Sequence, residues 1–386
     1  MSFHRHFVLA AGGTGGHMVP AAALAVELER RGHRVSLISD ERGVRFPGLF
    51  EEIETHILPA GRFAGGPFGW ARAAGAMWRG RAEAIRLFRG ERPAAVIGFG
   101  GYPAFPALSA AFACGIPTAL HEQNAVLGRV NRLVGGKVSA IATAYPDVER
   151  LKDNWRGKTH LVGNPVRNAV LELRNLPFPL LEEDGIFRVL VTGGSQGASV
   201  LSQVVPDGLA LLPVSFRRRL QVTHQARAED IEKVRAKYAE LSIAAELATY
   251  LPDLPEQLKW AHLVIARAGA STIAELTCAG RPAILVPLPS ATDDHQTANA
   301  REMTMAGGAR TIQQTAFTPV ELAKQMQKLG LDPAALQNAA ARARGCGRPD
   351  AARDLADLAE SLDAPRGDMP IGVSRPLKFG DQAAYA

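Results

Sequence analysis

The strongest constraint on this chain is a plan that it states twice. Near the N-terminus an apolar run, His6–Ala11 (HFVLAA), leads into Gly12–His17 (GGTGGH). A helical stretch, Met18–Gly32, and a second strand, Arg34–Ser39 (RVSLIS), follow. In the middle of the chain Phe187–Thr192 (FRVLVT) leads into Gly193–Ala198 (GGSQGA), with helical periodicity from Val200. Strand, glycine loop, helix and strand make a βαβ unit, whose strands run parallel. Ala22, Val26 and Leu28 read as the apolar face of the first helix, and Gly32 as its stop.

A second pair of segments repeats the match. Ala94–Gly100 (AAVIGFG), a Gly101-Tyr102-Pro103 loop, an alanine-rich helix and TALHEQN form one. His262–Ala268 (HLVIARA), Gly269-Ala270, a helix through Glu275 and AILVPLP form the other. The expected fold is therefore α/β, with two Rossmann-like, doubly wound parallel-sheet domains. They are expected over residues 1–162 and 163–348, with the turn at Gly163-Asn164-Pro165. An amphipathic helix, 349–362, is expected to cross back onto the first domain, and 364–386 reads as a loose tail.

Both glycine loops lie between a strand and a helix N-terminus. There exposed N–H groups and the positive end of the helix dipole suit a diphosphate. Neither is a P-loop, because no Gly-Lys-Ser/Thr follows, and the first misses the G-x-G-x-x-G spacing. Asp40, at the end of the second strand, stands where a dinucleotide fold would place its ribose ligand. Gly193-x-Ser195-x-Gly197 also fits the nucleophile elbow of a serine hydrolase, with Asp293, Asp294 and His295 as candidate partners. No HGGG-type oxyanion loop precedes that serine.

Composition narrows the classes. The chain has 386 residues and a net charge of +6, and residues 1–162 hold the whole basic excess. That half invites anionic ligands or lipid. Aromatics are 6% and no stacking motif is present, so nucleic acid is not an expected partner. No apolar run approaches the length of a spanning helix, and the N-terminus lacks a signal-peptide core. Cys114, Cys278 and Cys346 are odd in number and far apart, which argues against a disulfide scaffold or zinc cluster and fits a reducing cytoplasm.

GGTGGH (Gly12–His17), GFGGYPAFPA (Gly98–Ala107), HEQN (His121–Asn124), GNPVR (Gly163–Arg167), GGSQGA (Gly193–Ala198) and RAGASTIAEL (Arg267–Leu276) stand together in one order and spacing. In this the chain resembles the MurG family of bacterial N-acetylglucosaminyltransferases, over roughly residues 6–362. The resemblance implies a GT-B fold with a cleft between the domains. It implies inverting transfer of GlcNAc from UDP-GlcNAc to undecaprenyl-diphospho-MurNAc-pentapeptide (lipid I), forming lipid II, with no metal and no cofactor. The alternatives are another GT-B UDP-sugar enzyme, such as a different glycosyltransferase or a UDP-GlcNAc 2-epimerase, a serine hydrolase using Ser195, and a non-catalytic nucleotide-sugar-binding regulator.

By the same resemblance Glu275 takes the ribose hydroxyls, Ser195 the diphosphate and Arg167 the nucleotide. The backbone at Leu251 pairs with uracil. Ala270, Ser271 and Thr272 open a helix toward phosphate or sugar oxygens, and Gln296 recognises GlcNAc hydroxyls. Asp293-Asp294-His295 look like metal ligands, but the family uses none there, and many relatives carry glutamine at His295. On the acceptor side Thr14, Gly15 and Gly16 line the first loop, His17 is the expected general base, Glu122 is the alternative base and Asn124 contacts substrate. His121 reads as structural. A histidine suits proton removal near neutral pH.

Residues 62–92 carry seven arginines against Glu83 and Glu91. Trp70, Ala74, Met77, Trp78, Ile85 and Phe88 read as one helical face, opposite Arg72, Arg79 and Arg86. That pattern fits a helix facing anionic lipid, or an amphipathic helix on its own sheet, or a mixture in which a Phe63–Trp70 loop touches lipid. The expected location is peripheral, on the cytoplasmic face of the inner membrane. Proteins of wall synthesis and division are the partners that the family's role suggests.

Overall fold

The computed structural model describes residues 5–43, 48–61, 66–182, 184–194, 197–330 and 332–363. Among these, one unit comprises the residues up to Arg167 together with those from Pro349, and the other is Asn168–Arg348. The division thus falls after Arg167 rather than after Val162. The 364–386 segment and Ser195 lie outside the described residues.

The first unit runs β1 (His6–Ala10), α1 (Gly15–Arg30), β2 (Arg34–Ser39), β3 (Glu54–Ile57), α2 (Gly66–Gly90), β4 (Ala95–Gly98), α3 (Gly101–Ala113), β5 (Thr118–Glu122), α4 (Arg129–Val134), β6 (Ala140–Thr143) and β7 (Thr159–Leu161). The second runs α5 (Asn168–Leu173), β8 (Phe187–Thr192), α6 (Ser199–Ala210), α7 (Val214–Arg217), β9 (Leu220–Gln225), α8 (Ile231–Glu240), β10 (Ala244–Ala248), α9 (Leu254–Trp260), β11 (Leu263–Ala266), α10 (Ala270–Ala279), β12 (Ala283–Leu285), α11 (His295–Met305), β13 (Ala309–Thr311), α12 (Pro319–Gly330) and α13 (Pro333–Gly345). Then α14 (Ala351–Ser361) joins the first unit.

The first sheet has the order β3-β2-β1-β4-β5-β6-β7 and the second β10-β9-β8-β11-β12-β13. Every strand pair in both is parallel. Parallel strands covered by helices on both faces must be apolar throughout, and the central strands are: AVIG of β4 and LVIA of β11 are wholly buried. In β1, Phe7 and Leu9 pack toward Leu24 and Leu28 of α1 and Leu355 and Leu358 of α14. Val8 and Ala10 face the other way, toward Phe88 of α2 and Leu108 of α3.

Side-chain charges bind α14 to this unit. Arg31 bridges Glu27 at 2.8 Å, Asp357 at 2.6 Å and Glu360 at 2.8 Å, and His33 Nε2 lies 2.7 Å from the other Glu360 oxygen.

Four expectations change. The helices α1 and α3 begin at Gly15 and Gly101, so the glycine motifs themselves supply the first helical turns. Val26 is not on the buried face of α1 but is exposed. The apolar set of α2 does not form one face. Met77 and Phe88 are buried with Ala73 and Ala84, Ile85 is half-buried, and Ala74, Trp70 and Trp78 are exposed. Period arithmetic grouped residues that lie near the edge of one stripe, and packing on α3 decides which side of that edge each takes. Residues 66–70 of the expected Phe63–Trp70 loop are helical, and 63–65 lie outside the described residues.

Candidate functional site

In a doubly wound sheet, ligands bind beyond the strand C-termini, where the strand order reverses. In the first sheet that point lies between β1 and β4, and in the second between β8 and β11. The glycine loops and their helix N-termini stand at those two places.

At the first switch point Asp40 clamps the loop. Its Oδ1 accepts the N–H groups of Gly13 at 3.0 Å and Gly43 at 2.9 Å, and Arg42 donates to its Oδ2 at 3.2 Å. It is thus engaged as a loop anchor rather than as the ribose ligand of a dinucleotide site. Thr14 is the exposed N-cap of α1, and Gly15 and Gly16 are half-buried in its first turn.

His17 Nδ1 lies 3.2 Å from both Gly12 O and Thr14 Oγ1. A carbonyl can only accept, so Nδ1 carries a proton, and in the neutral ring the lone pair is then on Nε2. The ring stands against the start of α3, where Gly100 and Gly101 have φ of +83° and +73°. A Cβ on Gly101 would come within 3.4 Å of His17 Cε1.

Glu122, at the end of β5, is buried, and both its oxygens are engaged. Oε1 accepts from the Asn124 N–H at 3.0 Å and from Asn124 Nδ2 at 3.1 Å. Oε2 accepts from the Gly128 N–H at 2.7 Å and from Asn131 Nδ2 at 2.8 Å. Burial pushes the carboxyl up, while these four donors pull it down. Burial is the larger effect, so the carboxyl stands above its ordinary value, and in this structure it holds the β5–α4 loop. Asn124, half-buried, is drawn onto Glu122 by its own side chain. His121 donates from Nε2 to Gly163 O at 2.8 Å and accepts at Nδ1 from Gln123, 3.0 Å away. Burial pushes it down to about 4, so it stays neutral.

At the second switch point a Cβ on Gly193 would sit 2.4 Å from Ala198 N, so only glycine lets this loop close. Gln225, at the end of β9, takes the Thr192 hydroxyl at 2.8 Å and donates to Gly194 O at 3.0 Å. Arg227 lies across Gly197, and Arg267 donates to Val286 O and Pro287 O, both at 3.0 Å, and to Gln314 at 2.6 Å. Burial, and the positive charge of Arg227, both pull the Arg267 guanidinium down from its ordinary value. Two cations beside a glycine loop suit a diphosphate.

Ala270, Ser271 and Thr272 form the first turn of α10, behind the Gly269 N-cap. The Ser271 hydroxyl oxygen is buried with no hydrogen-bond partner among the described residues. Such an orphan is expected where a ligand completes the bonding. Glu275, one turn further, is buried, as is Leu251. Gln296 Oε1 accepts the Leu288 N–H at 3.0 Å, so toward a sugar it offers chiefly its NH2.

Arg167 is half-buried and is the last residue of the first unit before α5. Of the hydrolase candidates, Ser195 lies outside the described residues, and the His295 and Asp294 side chains are engaged locally. His295 Nδ1 lies 2.8 Å from Thr292 O, and Asp294 accepts from Thr297 at 2.8 Å.

Sequence reading missed Asp40 as a clamp, and also Gln225, Arg227 and Asn131. For Gln225 a signal existed: it ends a parallel strand beside the switch point.

Paired doubly wound sheets with a glycine cradle at each switch point define the nucleotide-sugar enzymes of the GT-B class. Residues 7–143 match the Glycosyltransferase family 28 N-terminal domain, and residues 188–358 match its C-terminal domain. A UDP-N-acetylglucosamine–N-acetylmuramyl-(pentapeptide) pyrophosphoryl-undecaprenol N-acetylglucosamine transferase of Zymomonas mobilis is 61% identical, over 96% of this chain and 95% of its own. The enzyme of the same name from Novosphingobium aromaticivorans is 62% identical over 93% of each. The crystal structure of Acinetobacter baumannii MurG is 29% identical, with a TM-score of 0.74, over 92% of this chain and 99% of that one. A putative UDP-N-acetylglucosamine 2-epimerase from Listeria monocytogenes shares the fold at 15% identity and a TM-score of 0.69, over 95% and 99%. The chain belongs to glycosyltransferase family 28.

Proposed function

We propose that this enzyme transfers GlcNAc, with inversion, from UDP-GlcNAc to lipid I and so forms lipid II. The observation that carries the reading is the contrast between the two switch points. One presents an imidazole whose lone pair is set on Nε2. The other presents backbone amides, an orphan hydroxyl and two guanidiniums. The first suits a hydroxyl that must lose a proton, and the second suits a diphosphate that must leave with negative charge. The activity named for the relatives joins these two halves.

In this reading His17 Nε2 takes the proton of the acceptor hydroxyl as its oxygen bonds to the sugar C1. Glu122 positions Asn124 and the β5–α4 loop. The departing UDP is stabilised by the α6 and α10 N-termini, with Ser195, Ser271 and Thr272 as hydroxyl donors and Arg227 and Arg267 as cations. Glu275 holds the ribose, Arg167 helps to hold the nucleotide, the Leu251 backbone pairs with uracil, and Gln296 donates to the sugar.

Lipid I requires access to a bilayer. No helix among the described residues is long and apolar enough to cross one. The exposed Trp70 and Trp78, on a helix rich in arginine, support peripheral contact with an anionic surface at the cytoplasmic face of the inner membrane. Partners in wall synthesis and division would follow from that role.

The test is transfer of radiolabelled GlcNAc to a lipid I analogue. His17→Ala is expected to lower kcat by about 10²- to 10⁴-fold while leaving UDP affinity intact. Glu275→Ala is expected to weaken UDP-GlcNAc binding instead. Near-normal turnover of His17→Ala would remove it as the base, and unchanged affinity of Glu275→Ala would remove Glu275 from the site.

A further inference from the structure

We infer that Gln225, acting with Thr192, is a positioning residue for the nucleotide-sugar. It fixes the diphosphate loop and the segment leading to Leu251 to one another through a single amide. The inference rests on the donor-site reading of the second unit.

Gln225 is 4% exposed and ends β9, next to β8. Its Oε1 accepts the Thr192 hydroxyl at 2.8 Å, and the same hydroxyl oxygen accepts the Gly194 N–H at 3.3 Å. Its Nε2 donates to Gly194 O at 3.0 Å and to Thr249 O at 3.3 Å. The N–H and the C=O of Gly194 are therefore both held from the sheet side. Thr249 stands two residues before Leu251, on the connection that follows β10.

Glycine loses more freedom on ordering than any other residue, and this loop holds Gly193, Gly194 and Gly197. A loop that had to be ordered by its ligand would subtract that loss from affinity, and one ordered beforehand does not. The network holds Gly194 beforehand without touching the ligand.

The chemistry of position 225 is narrowly set. It must accept one hydrogen bond and donate two, which a glutamine amide can do. A glutamate of the same shape would accept from Thr192 but face two carbonyl oxygens with a carboxylate. An asparagine is one methylene short.

The experiment is calorimetric titration of the full chain with UDP, UMP and uridine, alongside steady-state kinetics. Gln225→Glu and Gln225→Ala are expected to weaken UDP binding at least about tenfold, the equivalent of one hydrogen bond's net contribution. For Thr192→Val, which leaves the Gln225–Thr249 bond in place, the loss should shrink for UMP and shrink further for uridine. KM for UDP-GlcNAc should rise while KM for the acceptor holds. Thr192→Val, which removes only the hydroxyl from a strand end, should share the defect, and Thr192→Ser should restore wild-type affinity. If the Gln225 variants do not fold, the Thr192 pair decides. Wild-type protein that does not bind UDP overturns the donor-site reading. Wild-type protein that binds UDP, with Thr192→Val binding equally well, overturns the positioning role alone. So does a Thr192→Val loss that is uniform across UDP, UMP and uridine.

Discussion

Arg281 is fully buried, and its guanidinium faces backbone rather than a carboxylate. It donates to Leu258 O at 2.5 Å, Lys259 O at 3.4 Å, Ala279 O at 2.9 Å and Gly280 O at 3.2 Å, and lies over Phe178. Those carbonyls close the C-terminal ends of α9 and α10, where a cation is favoured by both helix dipoles. Burial pulls the group down to about 10, so it remains charged at neutral pH. Arg281→Met is expected to lower stability by about 2–4 kcal/mol, because several buried acceptors lose their donor at once. Urea unfolding of the variant measures this.

His121, His224 and His262 are each pushed down to about 4 by burial. The unfolded chain therefore takes up protons first, so stability falls as pH drops from about 6.5 toward about 4. The slope approaches about 1.4 kcal/mol per pH unit for each histidine. The raised carboxyl of Glu122 works in the opposite sense above its ordinary range. Denaturation between pH 7 and 5 should show the acid loss, and His224→Gln should flatten it. At this scale the sequence was legible where backbone geometry needs glycine, as at Gly193. It was not legible for Asp40, Gln225 or Arg281, each of which has at least one partner more than twenty residues away that only the fold brings near.

At the scale of elements, the strands around both switch points were readable because buried parallel strands are short apolar runs bounded by glycine. Helix starts were not. Glycine is a poor helix former, so the first turns of α1 and α3 read as loop. The tertiary setting overrides that preference by placing those turns at strand ends. The helix α2 shows the same override. Its Gly80 breaks the pattern of a good helix, yet a Cβ there would stand 2.2 Å from Pro59 O, so close packing requires it. The division of its apolar residues has a measurable outcome. Met77→Ala is expected to destabilise the protein by about 2–4 kcal/mol, as a cavity-forming change does. Trp70→Ser with Trp78→Ser should leave the melting temperature nearly unchanged but weaken sedimentation with anionic vesicles. Equal vesicle binding would discard the membrane reading of this helix.

For the whole molecule, the doubled βαβ plan made two sheets legible. Sheet order follows because consecutive right-handed crossovers on either side of the first strand leave few alternatives. The edge strands β3, β10 and β13 carried too little apolar signal to be read. The C-terminal domain model of the family matches residues 188–358, yet α14 packs on α1, with Leu355 and Leu358 in the core beside Phe7 and Leu9. A chain ending at Arg348 is expected to lose hydrogen-exchange protection in β1 and α1 while β8 and α6 keep theirs. Exchange measured by mass spectrometry on the two chains tests this.

That return of the last helix sets a timetable for biosynthesis. A ribosome delivers β1 first, but the hydrophobic layer over it is complete only when Leu358 emerges. The half translated later has all of its own chain once Arg348 emerges, whereas the half translated first still waits for α14. Until then the nascent sheet carries an uncovered apolar strip, and premature termination near the end of the message would leave that strip permanently open to aggregation.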